Sequence, residues 1–191
     1  MSLEEYRRKR RLAETPEPAG STRPPDLGCV FVVQKHAARR LHYDFRLAIE
    51  GVLASWAVPR GPSMNPADKR LAIRTEDHPL EYADFEGVIP AGQYGAGTVM
   101  VWDRGEYRSK DSIAPAEQLA GGKIDIDLQG RKLCGGFTLV RTRPRSADRE
   151  WWLLVKHRDE HAHVSWNVES PELDYSVLTG RTLKEIEEAG S

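Results

Sequence analysis

A chain of 191 residues with 39% hydrophobic content is long enough for one globular domain with ragged ends. No stretch is long or apolar enough for a membrane-spanning helix, and the opening MSLEEYRRKRR is no signal peptide, which predicts a cytoplasmic protein rather than a membrane or secreted one. The net charge of −1 is uneven: 8 acidic and 3 basic residues fall from Arg158 onward, leaving 25 basic and 21 acidic before it, a basic body suited to a phosphate-bearing partner.

Residues 1–12 are strongly basic and read as a short helix. The stretch Glu14 to Asp26 has no periodicity, and its prolines and glycine exclude helix or central strand, so it reads as an extended arm. Cys29 to Gln34 is rich in β-branched residues and reads as a first strand. From Leu41 to Leu47 apolar and polar residues alternate without a break. Leu41, Tyr43, Phe45 and Leu47 therefore share one face, and His42, Asp44 and Arg46 the other. Glu50-Gly51 reads as a hairpin turn into a strand over Val52 to Val58, closed by Pro59-Arg60-Gly61-Pro62. Further strands are predicted at Arg70–Thr75, Thr98–Trp102, Lys123–Leu128, Phe137–Arg141 and Trp151–Lys156. Gly92-Gln-Tyr-Gly95-Ala-Gly97 reads as a loop between strands; it lacks the lysine of a nucleotide-binding P-loop. Residues 111–122 hold about one helical turn, 143–149 form a polar loop, and Thr182-Leu-Lys-Glu185 is a capping box opening a terminal helix. The two cysteines, Cys29 and Cys134, form no motif and read as reduced. Many short strands at near-regular spacing predict an all-β fold, a single-domain barrel or sandwich with short helices at the termini. Its expected divisions are a basic, proline-rich arm at 1–28, the β-domain at 29–157 and an acidic tail at 158–191.

Same-face neighbours on a strand lie roughly 6.5–7 Å apart, a separation one metal ion can bridge. His42 and Asp44 have that spacing, and Arg46 reaches a group bound beside them. His36 lies six residues upstream; Ala37-Ala38 and Arg39-Arg40 let the chain bend and return it as a third ligand. Two imidazoles and a carboxylate suit manganese, iron or zinc with open positions for substrate. The arginine beside them suits phosphate, whose oxygens its fork matches in pairs. His78, in Glu76-Asp-His-Pro, is expected in a turn.

The motifs His36…His42-Tyr-Asp44-Phe-Arg46, Trp56-Ala-Val-Pro-Arg60-Gly-Pro, Glu76-Asp-His78-Pro-Leu-Glu-Tyr82 and Phe85 to Gly97 together resemble the 3′-phosphoesterase module of bacterial DNA ligase D, including free-standing homologues. The resemblance runs from about Leu3 to His157, and Ser176-Val-Leu-Thr-Gly-Arg resembles the linker after that module. It implies a β-barrel with the site in a groove on its outer face. It also implies one divalent ion, manganese first, with cobalt, zinc or iron as alternatives, held by His36, His42 and Asp44. Arg46 and His78 would contact the scissile phosphate, with Tyr82 in support. Arg60 (usually lysine in the family) and Arg70 would bind phosphates, and Arg10 and Glu17 match the family's amino-terminal arm. Arg11 stands where the family commonly has an acidic residue, so any role of that acid is not carried over.

The activity so implied is two-step healing of a DNA or RNA-tipped DNA 3′ end. A phosphodiesterase step removes a terminal ribonucleoside, and a phosphomonoesterase step then leaves a 3′-hydroxyl. Expected partners are such 3′ ends and, in end joining, a ligase or polymerase and Ku, with the chain itself a monomer. The chain carries no Lys-x-Asp-Gly nucleotidyl-lysine signature of a ligase. Two other readings remain at this point. One is a non-catalytic nucleic-acid end-binding module. The other is a two-His-one-carboxylate iron oxygenase that takes His157 or His161 as its distant third ligand.

Overall fold

The computed structural model describes residues 2–21, 27–143 and 149–190. Its ten strands are β1 (Val30–Ala37), β2 (Leu41–Ile49), β3 (Val52–Val58), β4 (Lys69–Arg74), β5 (His78–Pro79), β6 (Gly87–Ile89), β7 (Gly97–Ser109), β8 (Lys123–Gly130), β9 (Cys134–Arg141) and β10 (Trp151–Lys156). Eight of them close an antiparallel barrel in the order β1-β2-β3-β4-β10-β9-β8-β7, with β7 pairing back onto β1. β5 hangs from β3 and β6 from β7. Short helices α1 (Glu4–Lys9) and α3 (Leu183–Ala189) lie at the termini, and α2 (Pro115–Gly121) bridges β7 and β8. The expected all-β barrel is what forms. No helix among the described residues is long and apolar enough to cross a membrane.

The alternation on β2 sets the inside of the barrel. Tyr43, Phe45 and Leu47 point in and are buried with Trp56, Trp102 and Trp152. Burying each such side chain contributes about 1.5–3 kcal/mol. The β2–β3 hairpin turns on Glu50 (φ 47°) and Gly51 (φ 78°), the two positive angles a two-residue primed turn requires.

The twelve residues from His36 to Leu47 are not one strand. His36 ends up on β1, the chain reverses at 38–40, and His36 pairs directly with His42 across the hairpin. The small and basic residues at the tip, Ala38-Arg39-Arg40, are where the ladder stops. His78 likewise lies in a two-residue strand against Leu53 rather than in a turn, and is 4% exposed.

A second apolar layer covers part of the barrel's outer face. Val32, Leu53, Val99 and Val101 point outward beneath Tyr6 of α1, Leu80 and Tyr82 of a 3₁₀ turn over Leu80–Asp84, and Val177. The polar face of β2 therefore lies under a roof, and Asp44 and Arg46 are buried rather than facing water. After β10 the chain returns along the barrel. Lys35 pairs with Asp174 at 2.9 Å, Lys132 donates to the carbonyls of Leu173 and Tyr175, and Ile186 of α3 joins the core. The capping box at Thr182 and Glu185 forms as expected. Residues 22–26 of the arm and 144–148 of the polar loop lie outside the described residues.

Candidate metal centre and anion pocket

Cross-strand pairing places His36 opposite His42 and Gln34 opposite Asp44, on the outer face of β1 and β2. The imidazole centroids stand 4.8 Å apart. Nδ1 of His36 lies 3.7 Å from Asp44 Oδ2, and Nε2 of His42 lies 3.7 Å from Asp44 Oδ1. Donor atoms of the three residues all fall within 4.8 Å of one another.

The remaining ring nitrogens fix the tautomers. Nε2–H of His36 donates to the Gly95 carbonyl at 2.8 Å, and Nδ1–H of His42 donates to the Arg40 carbonyl at 2.9 Å. A carbonyl only accepts, so each bonded nitrogen carries a proton, and the other ring nitrogen is left facing Asp44, where a metal ion would take it. Metal-ligating histidines are held this way by their second nitrogen. Burial would raise the Asp44 carboxyl, but the Arg46 guanidinium and the two imidazoles outweigh it and hold it far below the ordinary carboxylate range. Two imidazole nitrogens and one carboxylate thus converge on one point, a donor set that fits a divalent ion.

A circle of charged groups surrounds that point. Arg46 donates to Asp44 at 3.1 Å and, through Nε, to Gln34 at 2.8 Å. Its Nη1 lies 3.0 Å from His78 Nδ1, and its guanidinium covers the Tyr82 ring at 5.0 Å. Arg10 reaches in from the arm. It approaches His78 Nε2 at 3.1 Å and pairs with Glu17 at 2.8 Å and Glu76 at 2.9 Å. The Tyr82 hydroxyl donates to Glu17 at 3.0 Å. His78 Nδ1 lies 2.9 Å from the Glu76 carbonyl. Burial, and then the guanidiniums of Arg46 and Arg10, push the His78 imidazole well below its usual value, so it is neutral. Burial, reinforced by Glu17, pushes the Tyr82 hydroxyl well above its usual value. Lys9, Arg10 and Arg46 face Glu17, Glu76 and Asp44, so the protein charges nearly cancel. A divalent cation would tip this balance towards an anionic ligand.

These residues line a cavity of about 230 Å³. It gathers His36, His42, Asp44, Arg46, His78, Tyr82 and Arg10, with Glu17 one bond behind. Arg60 and Arg70 are not brought to it. They line a separate groove with Leu41, Tyr43 and Trp166, where Arg70 pairs with Asp68 at 2.8 Å. Arg11 is exposed, with its guanidinium 3.6 Å from Glu14.

Four contributors carry no motif signal strong enough to single them out. Gln34 is fully buried and donates to the carbonyls of Tyr82 and Phe85 while accepting from Arg46. Its place two residues before His36 on the same strand was the available signal. Lys9 pairs with Glu76 at 3.0 Å. Ser55 Oγ lies 3.4 Å from His78. Gly95 offers only its carbonyl, which no side-chain pattern announces. Glu76 and Asp77 are paired with Lys9 and Arg10 and with Arg74. The three-donor cluster includes neither His157 nor His161.

Residues 34–141 match the family model described as DNA Ligase D 3′-phosphoesterase domain. The multifunctional non-homologous end joining protein LigD of Pseudomonas aeruginosa is 50% identical over 185 residues, 95% of this chain and 22% of that protein. The multifunctional non-homologous end joining DNA repair protein LigD of Mycobacterium tuberculosis is 48% identical, covering 83% of this chain and 20% of that protein. The LigD of Mycolicibacterium smegmatis is 40% identical, covering 83% of this chain and 21% of its own. The chain thus spans about a fifth of the length of these relatives.

Proposed function

The chain belongs to the DNA ligase D 3′-phosphoesterase domain family, whose members are phosphoester hydrolases, and from that premise we propose that it heals nucleic-acid 3′ ends in end joining. In this reading it removes a 3′-terminal ribonucleoside and then the 3′-phosphate, leaving a 3′-hydroxyl for sealing. The convergence of two imidazole nitrogens and the Asp44 carboxylate beside the Arg46 guanidinium carries the reading.

His36, His42 and Asp44 would hold one divalent ion, with manganese the first expectation. Such an ion supplies a Lewis acid that polarises a phosphoryl oxygen. Arg46 and Arg10 lie against the same cavity and neutralise the non-bridging oxygens, an effect enlarged in a buried site. His78 sits between the two guanidiniums, placed to contact the scissile phosphate as general acid or transition-state stabiliser. Tyr82, kept protonated and bonded to Glu17, fixes the arm that brings Arg10. Arg60 and Arg70, in their own groove, hold phosphates of the strand leading to the site, which makes binding salt-dependent. DNA ends are the proposed substrate; a ligase and Ku are the proposed partners in the pathway.

The test is a 5′-labelled primer–template ending in one ribonucleotide, incubated with manganese, with chelator, and with His42→Ala. Stepwise conversion to 3′-phosphate and 3′-hydroxyl, lost with chelator and in the variant, is expected. An intact primer that still shifts on a native gel would replace this reading with a non-catalytic end-binding module.

A further inference from the structure

The glycine loop at 92–97 carries a feature that phosphate chemistry alone leaves unused. Tyr94 is 48% exposed, one of few large apolar side chains so left among the described residues. Its position is nonetheless fixed. Gly92 and Gly95 turn in the left-handed region, with φ of 88° and 78°, and a Cβ on Gly97 would run into the Ala37 carbonyl, so the loop lies hard against the metal hairpin. The residue after Tyr94 supplies the carbonyl that holds His36. The arm grips the other side: Gln93 donates to Glu14 at 2.9 Å, and the Lys9 ammonium stands 4.9 Å from the Tyr94 ring centre and 3.4 Å from its hydroxyl.

Tyr94 also lines two spaces at once. One is the metal cavity; the other is an adjoining groove flanked by Lys9, Arg74 and Arg149 on the basic side and Glu5, Glu76 and Glu150 on the acidic side. That charge balance disfavours a continuing run of phosphates, which needs a surplus of cations. It suits a neutral group leaving the site past an aromatic ring.

We propose that Tyr94 is a stacking platform for the base of the 3′-terminal nucleoside, the group released in the diesterase step. This deepens the reading of the same pocket and rests on it. A π-face is common to all bases, so the platform would grip any terminal nucleoside without reading sequence.

Three primers separate the possibilities: one ending in a ribonucleoside, one in a 3′-phosphate, and one in an abasic ribose. Each is tested with wild-type protein, Tyr94→Ala, Tyr94→Phe and Tyr94→Trp at saturating manganese. Tyr94→Ala should raise KM on the order of tenfold for the ribonucleoside end while changing kcat little. The 3′-phosphate and abasic ends should stay within about twofold of wild type, and Tyr94→Phe and Tyr94→Trp should restore the ribonucleoside KM. An equal loss on all three primers would overturn the proposal in favour of a structural role through Gly95, and no change on any primer would overturn it too. Should wild-type protein cleave none of them, the phosphoesterase reading falls separately. Fluorescence anisotropy with the same primers then decides the ring's role: a base-dependent loss in Tyr94→Ala upholds it, and equal binding ends it.

Discussion

Asp125 and Thr138 face each other across β8 and β9 much as His36 and His42 do across β1 and β2, and each pair has a histidine and a carboxylate within reach. At the second place His157 Nε2 lies 2.8 Å from Thr138 Oγ1 and 3.1 Å from Asp125 Oδ1, while Nδ1 lies 3.5 Å from the Lys110 ammonium. There the carboxylate takes the proton-bearing nitrogen, and the lone pair meets a cation. At the first place backbone carbonyls take one nitrogen of each ring and leave the other facing the carboxylate. The second place has one histidine where the first has two, and its ring nitrogens are taken by Thr138, Asp125 and Lys110, so one arrangement is a set of three donors and the other a surface hydrogen-bond cluster. The carbonyls of Gly95 and Arg40 achieve this because backbone cannot swing away as a side chain can.

The largest effect should come from the donors themselves. Asp44→Asn and His42→Ala should each weaken manganese binding by more than ~100-fold in an electron-paramagnetic-resonance titration, beyond the range typical of supporting residues. His157→Ala should leave it within about twofold; a comparable loss there would break the contrast. Next is Arg46→Ala, which should lower kcat on the order of 10²–10³-fold while manganese still binds, as expected for a preorganised charge at a developing anion.

Stability sharpens the contrast further. Gln34→Leu orphans Arg46 Nε and removes the side-chain bond to the Phe85 carbonyl, the Tyr82 carbonyl keeping the Phe85 N–H, and should cost about 1–3 kcal/mol in urea denaturation. Thr138→Val, in the half-exposed cluster, should cost less than about 1 kcal/mol. The smallest effect is one of pH. Burial opposes ionisation of Glu76, but the bonds from Arg10 and Lys9 outweigh it, so its folded-state pKa lies below the ordinary 4.5. Its contribution to stability is therefore complete above pH 4.5 and is lost as pH falls through the folded value. The difference in melting temperature between wild type and Glu76→Gln should be constant from pH 5 to 7 and shrink below; a difference unchanged down to pH 3 would refute the ion-pair account.

Much of this was legible in the residues, unevenly so. The alternation from Leu41 to Leu47 is a period-two signal, and it puts His42, Asp44 and Arg46 on one face of β2, as the register shows. Periodicity does not say where a strand ends, but the small and basic residues at 37–40 marked the bend, and the reversal there sets His36 of β1 opposite His42. Gln34 hid in an apolar run because its partners, the carbonyls of Tyr82 and Phe85, are 48 and 51 residues away. Pro79 made His78 look like a turn residue; proline is tolerated in β5 because only two residues pair there, on the edge of β3. Composition left open whether the basic arm was loose. A single tyrosine decides it, since Tyr6 is fully buried with its hydroxyl on the Pro18 carbonyl. Arg60 and Arg70 carried the right charge for the expected pocket, but Arg60 follows β3 past the barrel rim and faces another groove.

The β7–β1 pairing that closes the barrel has a consequence for the order of events during folding. All three donors lie in one hairpin, a local structure that forms early and quickly. Yet the carbonyl that orients His36 arrives only when the chain at Gly95 has crossed to the far side of β1. Before that closure the His36 ring is free to turn and to carry its proton on either nitrogen, so the nascent hairpin is a poor chelator. Capture of the proposed ion would therefore report a finished barrel. A chain stalled halfway would neither hold a divalent ion nor gain the stabilisation that one would lend to the native state.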